Sequence, residues 1–217
     1  MISTVLFDLD GTLVHSAPGI LAGFRKVLAE AGVTPIEPID QRVIGPPLRL
    51  TLTRLTGIED LERLEPLAAA FRRTYDADGV LDADPYPGLA SVLSALATAE
   101  RRLFIVTNKR LVPTRLLVDR LGIASRFAAL YSLDMMPDRT ARKRDVVARV
   151  LREHGIAPAT TVLVGDSADD ADAAQANKVR FIAVTYGYGA PLDVAGVAPA
   201  AVLDRLADLP GVLGSLD

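Results

Sequence analysis

The chain contains no cysteine among its 217 residues. Disulfides, thiolate nucleophiles and cysteine-ligated metals are therefore excluded, and a reducing compartment is compatible with the sequence. Basic residues are not in excess either, because 24 Lys and Arg stand against 27 Asp and Glu for a net charge of −3. Bulk charge thus gives no reason to expect a nucleic acid or an acidic membrane surface as a partner.

Long apolar runs are also missing. No stretch reaches the roughly 18 apolar residues that a membrane-spanning helix requires. The opening residues carry no basic segment, and Asp8 and Asp10 interrupt their apolar run, which is not typical of a secretory signal. Half of the chain is nevertheless apolar, enough for a sizeable core. We expect a cytoplasmic protein that is a monomer or a homodimer.

Short, continuously apolar runs alternate with segments of helical periodicity. Such runs are typical of parallel strands that are covered on both faces. The predicted strands are Ser3–Phe7, Leu103–Thr107, Thr161–Val164 and Arg180–Thr185, with weaker candidates at Ala128–Ser132 and Ala200–Leu203. The predicted helices between them are Gly88–Ala99, Pro113–Leu121, Asp145–His154 and Ala168–Ala176, the last of which we expect to end on a left-handed Asn177. This alternation predicts a doubly wound α/β fold.

The alternation breaks over residues 16–81. Ala17–Ala31, Leu48–Thr56 and Asp60–Ala77 all have the spacing of amphipathic helices. We therefore predict an α/β core from residues 1–15 and 82–217, with residues 16–81 forming an all-helical domain, called the helical insert below. Because open parallel sheets bind ligands at the carboxyl ends of their strands, an insert that leaves after the first strand would cover that edge as a lid.

Three predicted strands end in polar residues. Asp8 and Asp10 follow the first strand, Thr107-Asn108-Lys109 ends the second, and Asp166 and Asp170 follow the third. In a parallel sheet these ends share one edge, and several carboxylates in one cleft repel each other unless a cation joins them. An all-oxygen ligand set favours a hard ion, so the pattern predicts a Mg²⁺ site.

These motifs, in this order, resemble those of the haloacid dehalogenase-like superfamily. Asp8-Leu9-Asp10-Gly11-Thr12 is similar to its first motif, Thr107 to its second, and Gly165-Asp166-Ser167-Ala168-Asp169-Asp170 to its fourth. The helical insert lies where that superfamily inserts a helical cap. Ile44–Leu48, Tyr86–Gly88 and Thr185–Gly189 resemble stretches of its phosphoglycolate phosphatase-like branch.

The resemblance implies a role for each residue of the site. Asp8 would be the nucleophile that carries a phosphoryl group, and Asp10 would act as the general acid and base. The Asp8 and Asp166 carboxylates and the Asp10 carbonyl would bind Mg²⁺, while Asp170 would orient water ligands and a lysine. Thr107 and Asn108 would bind the phosphate, together with the lysine of the third motif.

Two of these assignments have competitors in the sequence. The third motif reads Arg142-Lys143-Arg144 without the usual following proline; we choose Lys143 as the catalytic cation, with Arg142 and Arg144 as alternatives. Asp169 competes with Asp170 as the second acid of the fourth motif, although acids at a helix start often serve only the helix dipole.

Within that superfamily, the resemblance implies phosphatase or phosphomutase chemistry for a chain with Asp10, since this acid would act as a proton shuttle. The resemblance therefore implies a Mg²⁺-dependent phosphatase that acts on a small phosphorylated metabolite. A β-phosphoglucomutase-like phosphomutase and a nucleotide monophosphatase are the alternatives within the superfamily. A non-enzymatic phospho-acceptor or phosphate-binding module, similar to a response-regulator receiver, is the alternative from a different class.

Overall fold

The computed structural model describes residues 1–138, 140–189 and 196–217. Within these residues, six parallel strands form the main sheet, and two short strands form a separate antiparallel pair. The strands are β1 (Thr4–Phe7), β2 (Val14–His15), β3 (Asp84–Pro85), β4 (Arg102–Thr107), β5 (Ala129–Ser132), β6 (Thr161–Gly165), β7 (Arg180–Val184) and β8 (Ala201–Leu203). The α-helices are α1 (Ala17–Glu30), α2 (Leu48–Thr56), α3 (Leu61–Ala77), α4 (Leu89–Thr98), α5 (Leu111–Arg120), α6 (Lys143–Glu153), α7 (Ala168–Ala176) and α8 (Leu209–Leu216).

Strand β1 lies inside the main sheet, whose order is β5-β4-β1-β6-β7-β8. Its last residue, Phe7, pairs with Ile105 of β4 and Val164 of β6. The chain therefore continues on one side of β1 with β4 and β5 and on the other with β6 to β8. A change of direction of this kind opens a crevice at the carboxyl end of the central strand. The predicted doubly wound α/β fold is confirmed.

The sheet is apolar on both faces, and successive residues of a strand enter opposite halves of the core. Leu6 of β1 packs with one apolar cluster and Phe7 with the other, and both are completely buried. Helices α6 and α7 contribute to the cluster around Leu6, whereas α4, α5 and α8 contribute to the one around Phe7, which continues into α1, α2 and α3. Burying each such side chain contributes about 1.5–3 kcal/mol. The continuous apolar runs of the sequence follow from this two-sided burial.

The helical insert contains α1, α2 and α3, which follow β2 and precede β3. Apolar residues of α3 recur every three or four positions, which gives the helix one buried face. On that face Phe71 stacks on Phe24 of α1 at 4.3 Å between ring centroids and on Tyr75 at 5.5 Å. Strands β2 and β3 pair where the chain leaves the sheet and where it returns. The domain boundaries at residues 16 and 81 stay predictions.

All six predicted strands of the main sheet and all seven predicted helices are present, most with ends displaced by one or two residues. The sequence did not predict the two-residue strands β2 and β3, nor α8, whose pattern is interrupted by proline and glycine. The expectation for Asn177 was wrong. Asn177 has φ −101°, and the left-handed residue is Lys178 at φ 55°. The left-handed turn after α7 thus falls one residue later than expected. The side-chain amide of Asn177 donates to the carbonyl oxygens of Ala173 and Arg144 at 2.9 Å each.

Among the helices that the structure describes, none combines the length and apolar composition needed to cross a lipid bilayer.

Replacing Gly19 with Ala tests the packing within the helical insert. A Cβ atom at Gly19 would lie 1.9 Å from the backbone oxygen of Gly79, so α1 must move away from the turn after α3. We expect Gly19→Ala to lower the free energy of unfolding by about 1–3 kcal/mol, as overpacking does. The measurement is urea denaturation followed by circular dichroism.

The matched control is Gly211→Ala in α8, where nothing lies within 4 Å of the added Cβ. Because alanine is the better helix former, this change should raise stability by about 0.5–1 kcal/mol. Equal effects of the two substitutions would contradict the tight contact at Gly19.

Candidate active site

Three carboxylates and one lysine form a buried cluster at the carboxyl edge of the sheet. Each of Asp8, Asp166 and Asp170 has a carboxylate oxygen within 4.8 Å of the others. All three residues are at most 5 % exposed, and Lys143 beside them is 3 % exposed. The structure thus brings together four of the residues that the sequence singled out, from parts of the chain up to 162 residues apart.

The strand register explains why these residues meet. Asp8 directly follows β1, and its backbone N–H donates to the carbonyl oxygen of Val164 in β6 at 3.0 Å. Asp166 directly follows β6, so it emerges beside Asp8 at the same edge. Asp170 lies in the first turn of α7, and Lys143 is the first residue of α6. Each side chain therefore sits at the end of a regular element, where the backbone is already fixed.

Lys143 holds two of the carboxylates. Its Nζ lies 2.9 Å from Oδ1 of Asp8 and 2.7 Å from Oδ1 of Asp170. Neither competing arginine contacts these acids in this way, because Arg142 is exposed and Arg144 pairs with Asp172 at 2.7 Å. The geometry therefore favours Lys143 as the cation of the site.

Asp166 is oriented by backbone rather than by side chains. Its Oδ2 accepts hydrogen bonds from the backbone N–H of Tyr188 at 2.6 Å and of Gly189 at 3.1 Å. The Asp166 side chain packs against two residues that must be glycine, because a Cβ at Gly11 or Gly187 would lie 2.3 Å from one of its atoms. The resulting packing fixes this carboxylate before any ligand arrives.

Asp170 is the buried acid of the fourth motif. Its Oδ2 accepts from the backbone N–H of Ser167 at 3.1 Å and from the Ser167 hydroxyl, a capping box at the start of α7. Asp169 is exposed, and its Oδ2 accepts from the Asn108 side chain at 2.9 Å. Of the two candidates, only Asp170 lies in the cluster.

Thr107 is the last residue of β4, the strand that pairs with β1, and Asn108 follows it. Thr107 is 2 % exposed, and its hydroxyl accepts from the backbone N–H of Lys109 at 3.2 Å. Both donors of the Asn108 amide are engaged, one by Asp169 and one by the carbonyl oxygen of Gly45 in the helical insert, each at 2.9 Å. Phosphate binding by Asn108 would therefore use its backbone N–H.

Burial and mutual repulsion control the charges of the cluster. Burial, together with the charges of Asp170 and Asp166, raises the pKa of Asp8 from 3.8 to about 8 although Lys143 opposes the shift. Burial and Asp170 likewise raise the pKa of Asp166 from 3.8 to about 6. Burial alone would lower the pKa of Lys143, but Asp170 and Asp8 raise it above its ordinary value. Lys143 alone thus does not supply enough positive charge to keep all three buried carboxylates ionised at their ordinary pKa values.

The cluster fits a hard divalent cation. Its donors are all carboxylate oxygens, which Mg²⁺ prefers. Oδ1 of Asp8 is buried and, among the described residues, has no neighbouring donor besides Nζ of Lys143 at 2.9 Å, so it can also bind a cation. A cation between Asp8 and Asp166 would offset the repulsion that raises both pKa values.

Asp10 lies outside the three-carboxylate cluster and has its own partners. Its Oδ1 accepts from the Ser16 hydroxyl at 2.5 Å and from Nζ of Lys109 at 3.0 Å. The sequence analysis assigned no role to Lys109. Its position directly after Thr107-Asn108 was the only signal, since a lysine at a strand end is usually solvated.

Tyr188 connects the cluster to the helical insert, a connection that the sequence analysis also missed. Its hydroxyl accepts from the backbone N–H groups of Ser16 at 2.7 Å and Ala17 at 3.0 Å. These donors start helix α1, whose first residues have no side-chain cap. Since the backbone of Tyr188 holds Asp166, one residue joins a candidate metal ligand to the base of the insert.

Comparisons with known proteins agree with this geometry. A family model described as haloacid dehalogenase-like hydrolase matches residues 5–184. A phosphoglycolate phosphatase of Rhodospirillum rubrum is 33 % identical and aligns over 99 % of this chain and 92 % of its own. A protein named tyrosine-protein kinase PtkA of Mycobacterium tuberculosis is also 33 % identical, over 96 % of this chain and 72 % of its own.

Solved structures share the whole architecture. The crystal structure of a predicted phosphatase from Clostridium acetobutylicum superposes with a TM-score of 0.88 at 25 % identity, and the match covers 99 % of each chain. The chain therefore belongs to the haloacid dehalogenase-like hydrolases, in their phosphoglycolate phosphatase-like branch.

Proposed function

We propose that the chain is a phosphoric monoester hydrolase that uses Mg²⁺ and forms a covalent phosphoryl group on Asp8. The observation that carries this proposal is the contact of Asp8 with Lys143, 2.9 Å away, inside a cluster that also contains Asp166 and Asp170. A carboxylate that is buried beside one lysine and two further acids is suited to bind a cation and attack phosphorus.

The metal would be held by the carboxylates of Asp8 and Asp166 and by the carbonyl of Asp10. When bound, Mg²⁺ would supply positive charge that neutralises the acids and draws electrons from the phosphoryl oxygens. Asp170 lies 2.7 Å from Nζ of Lys143, and this contact would keep the lysine directed at Asp8.

The remaining steps fall to side chains of the chain itself. A carboxylate oxygen of Asp8 attacks phosphorus, and the bond from phosphorus to the ester oxygen breaks. Asp10 gives its proton to the departing oxygen. It later takes a proton from the water that attacks phosphorus, and the bond from phosphorus to Asp8 then breaks, which releases inorganic phosphate and restores the carboxylate. Lys143, the Thr107 hydroxyl and the backbone N–H of Asn108 stabilise the negative charge that develops on the phosphoryl oxygens.

The substrate that we propose is a small phosphorylated metabolite of the phosphoglycolate kind. Relatives named phosphoglycolate phosphatase, from Rhodospirillum rubrum, Agrobacterium fabrum and Pseudomonas aeruginosa, are 30–35 % identical to the chain over at least 94 % of its length. A cytoplasmic location and a monomeric or homodimeric state stay predictions of the sequence.

The nucleophile is tested by Asp8→Asn. An amide cannot attack phosphorus as a carboxylate does, so turnover should fall below ~1 % of wild type. The fold should persist because the substitution also removes a buried negative charge. The measurement is release of inorganic phosphate from 2-phosphoglycolate and from p-nitrophenyl phosphate with Mg²⁺, alongside thermal unfolding.

Asp172→Asn is the matched control, because Asp172 pairs with Arg144 away from the cluster and its loss should leave turnover near wild type. Wild-type levels of phosphate release by Asp8→Asn would refute the assignment. Transfer of the phosphoryl group to a sugar or a protein without phosphate release would favour a phosphomutase or a kinase. Stable phosphorylation without any turnover would favour a phospho-acceptor module.

The metal site predicts a specific dependence of stability on pH. The folded-state pKa of Asp8 is about 8 and that of Asp166 about 6, each raised from 3.8. As the pH rises above about 4, the unfolded chain releases these protons first, so the metal-free fold loses stability up to about pH 8. Mg²⁺ must displace the same protons, and its stabilising effect should therefore grow with pH.

The measurement is the shift of the unfolding midpoint on addition of Mg²⁺ at about pH 5.5 and about pH 8. We expect the larger shift at the higher pH, and almost none at either pH for Asp166→Asn. A shift that is independent of pH, or that survives in Asp166→Asn, would contradict a site built on these carboxylates.

A further inference from the structure

Lys109 makes a set of contacts that the proposed function leaves unexplained. Its Nζ lies 3.0 and 3.2 Å from the two carboxylate oxygens of Asp10 and 2.5 Å from the hydroxyl of Tyr75. The Lys109 side chain is 5 % exposed and that of Asp10 is 13 % exposed. A lysine buried to this degree is costly unless its charge and its donors are used.

The surroundings of Lys109 meet both requirements. Its ammonium group has three donors, and the carboxylate of Asp10 and the hydroxyl of Tyr75 accept from it. The same group lies 4.6 Å from the centroid of the Tyr75 ring, which adds a cation–π contact. The charge of Lys109 and at least two of its donors are therefore used by groups beside it.

The two buried lysines serve different acids. Lys143 contacts Asp8 and Asp170 in the three-carboxylate cluster. Asp10 has no part in that cluster, and its carboxylate is held by Lys109 together with the Ser16 hydroxyl. The contacts that orient its carboxylate are therefore those with Lys109 and Ser16, and not those of Lys143.

Tyr75 brings the helical insert into this arrangement. It lies in helix α3, where its ring stacks on Phe71 at 5.5 Å, so its hydroxyl reaches Lys109 only when the insert is docked on the sheet. Lys109 follows β4, and its backbone N–H donates to the Thr107 hydroxyl at 3.2 Å. The contact between Tyr75 and Lys109 thus joins the insert to the strand end that also carries Thr107.

We propose that Lys109, held by Tyr75, is a positioning residue that aims the carboxyl group of Asp10 at the leaving oxygen, so that proton transfer requires a docked insert. The inference rests on the proposed function. When the bond between phosphorus and the ester oxygen breaks, its electrons stay on that oxygen, which takes the proton of Asp10. In the second half, water attacks phosphorus and returns a proton to Asp10, while the bond between phosphorus and the Asp8 oxygen breaks and inorganic phosphate leaves. Lys109 keeps its own protons throughout.

The test compares Lys109→Met with the wild-type chain on two esters. General acid catalysis contributes about 10²–10⁴-fold to a rate, and an alkyl leaving group needs it whereas p-nitrophenolate does not. We therefore expect Lys109→Met to lower kcat for 2-phosphoglycolate about 10²-fold or more. The first-turnover burst of p-nitrophenolate should stay near the wild-type rate, while its steady-state rate falls because the water step still needs Asp10.

Tyr75→Phe provides a second variant that keeps the ring and removes only the hydroxyl. It should lower kcat for the alkyl ester about tenfold, the effect of one hydrogen bond to a charged group, and again spare the burst. This variant keeps the inference testable if Lys109→Met does not fold.

Arg110→Met is the matched control. Arg110 pairs with Asp76, so it joins the same two segments one residue further along, but it does not contact Asp10. The ratio of the rates on the two esters should therefore match that of the wild type. The inference would be overturned if Lys109→Met and Tyr75→Phe slowed the p-nitrophenolate burst by the same factor as kcat for 2-phosphoglycolate. It would also be overturned if Arg110→Met lowered kcat for 2-phosphoglycolate while it spared the burst. If the wild-type chain released phosphate from neither ester, the proposed function itself would fail.

Discussion

The repulsion among three buried carboxylates is the constraint on which the rest of the site depends. Asp8, Asp166 and Asp170 are almost completely buried, and each would be cheaper to bury as a neutral acid. Lys143 offsets part of that cost through its contacts with Asp8 and Asp170. The pKa values of Asp8 and Asp166 stay raised despite Lys143, so the cluster could accept further positive charge, such as that of a divalent cation with a preference for oxygen ligands.

The surrounding structure keeps these acids together despite their repulsion. Backbone N–H groups of Tyr188 and Gly189 hold Asp166, and the start of α7 holds Asp170. Residues without a Cβ let the carboxylates approach the backbone closely, as at Gly11. The helical insert is joined to the same groups, because Tyr188 also caps α1 and Tyr75 contacts Lys109. Docking of the insert and geometry of the site are therefore linked by a few polar contacts.

Much of this arrangement could be predicted from local sequence. The strands appeared as continuous apolar runs because the sheet is covered on both faces, and α2 and α7 were predicted with their observed ends. The edge that collects Asp8, Thr107 and Asp166 followed from the parallel direction of the strands. Strands β2 and β3 were missed since two residues show no pattern, and α8 was missed because Pro210, Gly211 and Gly214 interrupt its helical pattern.

By itself the sequence determined the fold class and which strand ends carry acids, because both depend on patterns among neighbouring residues. Tertiary structure decided which charged side chains meet. It favoured Lys143 over Arg142 and Arg144, and Asp170 over Asp169, by burying one and leaving the others at the surface. It also brought Lys109 to Asp10 across 99 residues of chain and to Tyr75 across 34. Contacts over such separations are fixed by how helices pack on the sheet, and no local period records them.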